Sequence, residues 1–230
     1  MRQLFPRSCR RSLGVVVQAD GMALAQASAP AQGPMQIQRW HWLCLQDAPK
    51  ITSDWLPGWP DPAWVRTTRH LSGCQAQDAA FAIEEARLRR FNLQLQSGLN
   101  VREQVKAIEA ELHRQLPWPL AETVWDFHSQ PASQDTPAQA HQQRPAWLVA
   151  AMQAQAVQQV EVLATQRAWV SACEQWCQAV GWRLVRLEPG WQADARWQRW
   201  PQASQALQAQ GLSPHVQARV GGLAVGVLAP

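Results

Sequence analysis

At 230 residues and 47% hydrophobic content, the chain has room for one large domain or two small ones with an ample core, and it is not a disordered sequence. The net charge of +4 comes from nineteen Arg and two Lys that are scattered along the chain with no nucleic-acid-binding motif, so nucleic acid is not an expected partner. No run is long and apolar enough to span a bilayer, and five cysteines at irregular spacing (9, 44, 74, 173, 177) fit a reducing compartment better than a disulfide framework.

Arg7, Arg10 and Arg11 precede Leu13-Gly-Val-Val-Val, and Ala25-Gln-Ala27 follows, which together outline a signal peptide. Gln18, Ala19, Asp20 and Gly21 interrupt the apolar run, however. Asp-Gly between two apolar runs is a hairpin signal, so the preferred reading is two strands, Leu13–Gln18 and Met22–Ala27. A third strand is expected over Gln36–Leu45, bounded by Gly33-Pro34 and Pro49. Turn chemistry at Leu56-Pro-Gly-Trp-Pro follows, then a short helix within Pro62–Gly73. Ala79–Glu84 reads as a strand, with a helix from Glu84 as the competing reading. Arg89–Leu95 alternates polar residues with Phe91, Leu93 and Leu95, as a strand does.

Val101, Val105, Ile108, Leu112 and Leu116 then recur at helical spacing, behind Asn100 as N-cap and Glu103 as its capping-box partner. Pro117 and Pro119 stop that helix. Thr123–His128 mixes β-branched and aromatic residues, which predicts a strand. Residues 129–145 read as a flexible loop and Ala146–Ala151 as a buried strand. The spacing of Ala156, Val160, Leu163, Val170, Cys173, Cys177 and Val180 predicts one long helix from about Gln153 to Val180, closed by Gly181. A strand is expected over Trp182–Leu187. Cys173 and Cys177, on one helical face, are read as core residues and not as metal ligands, because no paired His or Cys stands at zinc spacing.

A Glu-rich helix, then Leu116-Pro-Trp-Pro-Leu120, then a strand ending Asp126-Phe127, resembles the PilM family, with Glu109, Glu122 and Val124 also matching. These are actin-like cytoplasmic proteins of type IV pilus assembly. Gly181-Trp182 followed by Val185-Arg-Leu-Glu-Pro189, and the tail Gly221-Gly-Leu-Ala-Val-Gly226, fall in the family's order as well. The resemblance covers Leu13 to Pro189 and the last dozen residues, and is strongest to the shortened HofM-type branch. It implies an α/β fold: an actin-like (ribonuclease H-like) lobe with a small α+β subdomain inserted at 96–128, within a single truncated domain over 1–230 whose second lobe is largely missing.

The resemblance also says where nucleotide chemistry would sit. PilM relatives begin with a Gly-Leu-Asp-Ile-Gly-Ser run that serves phosphate and magnesium. Here Val16 stands in place of the Asp and Gln18 in place of the second Gly, and Arg186 replaces a second Asp on the later strand. Valine offers no oxygen to Mg²⁺, and a side chain at Gln18 blocks close backbone approach to phosphate. The expectation is a non-catalytic pseudo-ATPase with no cofactor. It would act as a scaffold at the cytoplasmic face of a type IV pilus or DNA-uptake machine, peripheral to the inner membrane. The competing readings are a working actin-like ATPase or ribonuclease H-like metal enzyme, and a type II secretion relative, which would ordinarily carry a membrane helix. The partner that the resemblance implies is the N-terminal cytoplasmic tail of a PilN-like inner-membrane protein. The residues expected to meet it are Leu93, Leu95, Trp118, Leu120, Trp125 and Phe127.

Overall fold

The computed structural model describes residues 10–18, 20–29, 36–46, 48–129, 157–198, 216, 219, 220 and 222–224. The expected flexible loop after Ser129 and the expected strand Ala146–Ala151 lie outside them. The chain divides into two compact units, Met1–Glu85 with Trp169–Pro230, and Ala86–Ala168.

The first unit is built on a five-stranded sheet in the order β3-β2-β1-β4-β8. β1 (Arg10–Val17), β2 (Gly21–Ala29) and β3 (Gln36–Cys44) are antiparallel, and β4 (Asp78–Ile83) and β8 (Arg183–Pro189) run parallel to β1. The Asp-Gly signal is realised as the β1–β2 turn, where the Gln18 N–H donates to the Gly21 carbonyl at 2.8 Å. α1 (Pro62–Ser72) starts at Asp61, whose side chain accepts from the Ala63 and Trp64 N–H groups, and ends at Gly73 with φ of 68°.

Period-two alternation decides what each face of this sheet buries. Leu13, Val15, Leu24 and Phe81 share one face. Phe81 stacks there on Trp59 (5.7 Å between ring centroids) and meets Trp176 edge-on at 6.0 Å. Trp176 belongs to α3 (Arg167–Val180) and donates its indole N–H to the Pro60 carbonyl at 2.8 Å. The opposite face carries Gly14, Val16, Ala23, Ala25, Ala27 and Ala80. Ala193 of α4 (Gly190–Gln198) and the helical residues Val220, Leu223 and Ala224 pack on it.

The second unit is a three-stranded antiparallel sheet in the order β5-β7-β6, formed by β5 (Arg89–Gln96), β6 (Thr123–Ser129) and β7 (Val157–Gln166). α2 (Val101–Gln115) buries Ile108 and Leu112 in a cluster with Leu93, Leu95, Val160, Val162 and Ala164. Its capping box is present as expected: Glu103 N–H to Asn100 Oδ1 at 3.1 Å, and Asn100 N–H to Glu103 Oε2 at 2.9 Å.

The long helix expected over 153–180 is corrected. Residues 157–166 form β7, and helix begins only at Arg167. Val160, Val162 and Ala164 fall on the buried face at period two, a fit that the helical stripe through Val160 and Leu163 concealed. The competing helix from Glu84 shrinks to a single 3-10 turn, Glu85–Arg87, and the strand before it is present as β4.

Candidate partner-binding site

All six candidate partner-binding residues lie in the second unit, and the sheet register explains how they are placed. Trp125 pairs with Ala164, Phe127 and Phe91 with Val162, and Leu93 with Val160, so all of these point to the α2 side of the sheet. Leu93 and Leu95 are 7% and 8% exposed and sit in the buried cluster. They back the surface and do not form it. Leu120, Trp125 and Phe127 pack half-buried against that cluster, with the Trp125 and Phe127 rings 6.2 Å apart and inclined by 36°. This aromatic pair is an apolar wall at one side of the sheet.

Trp118 is set by the turn between α2 and β6. Leu116 ends the helix with its N–H on the Leu112 carbonyl at 2.9 Å, and Pro117 and Pro119 confine the backbone that follows. The half-buried Trp118 donates its indole N–H to Thr123 Oγ1 at 3.0 Å, and that hydroxyl donates in turn to the Pro119 carbonyl at 3.1 Å. Arg167 closes the arrangement from the start of α3, donating from Nε to the Ala121 carbonyl at 3.3 Å and from Nη2 to the Thr123 carbonyl at 3.0 Å. The turn is thus braced by side chains before anything binds, which lowers the ordering cost of an encounter. Thr123 and Arg167 went unnoticed in the sequence because a side chain aimed at a backbone carbonyl leaves no periodicity. At the end of α2, hydrogen bonds from Arg114 and then Gln115 hold the half-buried Glu111 carboxyl below the usual carboxylate range.

The positions that would serve nucleotide lie in the first unit. Val16 is 4% exposed and packs among Ala23, Ala25, Val220 and Leu223. Gln18 is half-buried in the β1–β2 turn. Arg186 faces the buried Glu188 carboxylate at 3.7 Å, and Arg219 pairs with Asp194 at 3.3 Å. Glu188 stood in the sequence only as part of the Val185–Pro189 run, and Asp194 and Arg219 were not singled out, because no spacing motif joins the three.

Three antiparallel strands followed by two parallel ones, interrupted by a helix-and-sheet insertion, have the strand order of an actin-like lobe. No protein-family model matches the sequence, and no curated protein is significantly similar to it. Among solved structures, the fold is similar to that of the PilM-PilN type IV pilus biogenesis complex, with a TM-score of 0.57 and 17% identity, over 83% of this chain and 52% of that one. The cytoplasmic domain of EpsL, an inner-membrane component of the type II secretion system of Vibrio cholerae, overlaps more loosely, with a TM-score of 0.49 and 12% identity, over 80% of this chain and 58% of that one. A Bacteroides thetaiotaomicron protein of actin-like ATPase fold and unknown function has a TM-score of 0.32 and 9% identity, over 78% of this chain and 52% of that one. The fold is PilM-like and actin-like, and the chain spans about half the length of the PilM-PilN structure it matches. Among the described residues, no helix is long and apolar enough to cross a membrane.

Proposed function

We propose that this chain is a non-catalytic scaffold of a type IV pilus or DNA-uptake machine. It holds the N-terminal cytoplasmic tail of a PilN-like inner-membrane protein, and reaches the inner membrane from the cytoplasmic side through that partner alone. The observation that carries the reading is the likeness of its fold to a complex that itself pairs PilM with PilN. The braced Trp118 turn and the half-buried Trp125–Phe127 wall supply the kind of surface an extended peptide uses, with aromatic anchors at its centre. Co-purification of the chain with the N-terminal tail of a PilN-like membrane protein tests it. Trp125→Ala should weaken that complex by about 2 kcal/mol or more, a hot-spot value. A folded Trp125→Ala chain that retains the tail with unchanged affinity rejects the wall.

The pseudo-ATPase part of the proposal rests on Val16 and Gln18. A valine embedded in hydrocarbon leaves no carboxylate where magnesium would be held. Calorimetry of the chain with ATP and Mg²⁺ should show no saturable heat in the micromolar range. A dissociation constant of a few micromolar would favour the ATPase reading instead.

A further inference from the structure

β6 lies at one side of its sheet: among the described residues it pairs with β7 and has no strand on its other side. We propose that this open side takes up the partner segment as an added strand, and that Asp126 selects a segment with an apolar–basic–apolar triplet. The inference rests on the proposed role of the Trp125–Phe127 wall and says how that wall is read.

Two observations carry it. The first concerns the edge itself. An antiparallel strand turns its N–H groups alternately toward and away from its neighbour. The Phe127 N–H donates to Asp126 Oδ1 at 2.8 Å, which places it with the outward set. The Thr123 carbonyl is likewise taken by Arg167. The chain thus caps parts of this edge with its own side chains, as proteins do where a bare edge would recruit strands indiscriminately. An incoming strand replaces the Asp126 cap with a main-chain bond.

The second observation concerns charge. Asp126 is exposed on the face opposite Trp125 and Phe127. A second copy of this chain pairing antiparallel about the middle of β6 sets Asp126 against Asp126, and like charges directly opposite are destabilising. A segment with Arg or Lys at that position gains instead. Its neighbours on either side turn to the other face, where apolar side chains meet Trp125 and Phe127. The acid therefore rejects self-pairing and favours one partner chemistry.

The test uses the full chain and synthetic peptides of one common sequence that differ only in a central triplet, Leu-Arg-Leu or Leu-Glu-Leu. A third peptide is the Leu-Arg-Leu form N-methylated at alternate residues. Binding is followed by amide NMR, with sedimentation to report self-association. The Leu-Arg-Leu peptide should bind about three- to tenfold tighter than Leu-Glu-Leu and should protect the Trp125 and Phe127 amides. Asp126→Asn, which keeps an acceptor but no charge, should erase that preference, and N-methylation should abolish binding. Binding that is lost on Trp125→Ala yet indifferent to triplet charge and N-methylation overturns strand addition while leaving the wall as a partner site. No binding by any peptide overturns the proposal as well, and the function is then judged by the partner-tail experiment alone. Self-association of the wild-type chain that protects the same amides assigns the edge to a second copy, and overturns it too.

Discussion

Gln26 shows how much one polar side chain settles inside an apolar sheet. It is buried on β2, and its Oε1 accepts the Gln75 and Ala76 N–H groups at 2.8 and 2.9 Å. Gln26→Leu leaves these donors without a partner and should cost about 1–3 kcal/mol of stability, read by urea unfolding. Thr123 holds a similar post in the second unit. Thr123→Val removes both the acceptor of the Trp118 indole and the donor to Pro119, and should cost about 1–2 kcal/mol. Cys177 gives a pH signature. Burial, and then the charge of Glu174, push its thiol up to about 12. The native thiol therefore keeps its proton where the unfolded one, ionising near 8.5, has lost it. The unfolded state binds fewer protons in that window, so stability should fall as pH rises above about 8.5 and be indifferent to this group below it. Urea unfolding at mildly acid and strongly alkaline pH should show a smaller alkaline loss in Cys177→Ala than in the wild type. Gln26 and Thr123 were not legible as sites, because what fixes each is a partner distant in sequence or a carbonyl, whereas Cys177 was legible as a core residue from its place on the helical face. The aromatic wall was legible, since Trp125 and Phe127 declare a shared face by spacing alone.

Elements were easier to read than sites where one period had no rival. α2 was legible from its cap to its proline stop, because Asn100, Glu103, the apolar spacing and Pro117 agree, although of the Val101–Leu116 stripe only Ile108 and Leu112 are buried and Val101 stands exposed. Asn100→Ala should cost about 1 kcal/mol, since it strips the N-terminal donors of their side-chain acceptor, and thermal unfolding should report the drop. β7 was not legible, because Val160 serves a helical stripe and a strand face equally well. The contact that decided between them is the pairing with β5 and β6, and pairing across long separations is absent from local spacing. The sequence reading bounded the insertion at 96–128. With β7 recognised as a strand, the compact unit takes in β5 and β7 and runs from Ala86 to Ala168.

At the scale of the whole molecule, the described residues around 220 come against β1 at Gly14. A Cβ there would meet the Val220 carbonyl at 2.1 Å and the Ala224 N–H at 2.7 Å, and one on Gly222 would meet the Ala193 carbonyl at 2.0 Å. Only backbone fits between β1, α4 and the residues around 220. Gly14→Ala should therefore destabilise the first unit by several kcal/mol, about 3 or more, by forcing apart two backbones that cannot yield. The same substitution at Gly58, which has nothing within 4 Å of its would-be Cβ, is strained only by its φ of 77° and should cost less, about 1 kcal/mol. Calorimetry of the two variants tests that order. The contact also sets a schedule for synthesis. Ser12 donates its hydroxyl to the Ala224 carbonyl, 212 residues further along the chain. The stretch from Ala86 to Ala168 is continuous in sequence, while β1 must wait for the 212 residues that separate Ser12 from Ala224, about 10–40 s at ~5–20 residues per second. During that interval the alanine face of a growing chain stands bare, and it is then that a chaperone has most to protect.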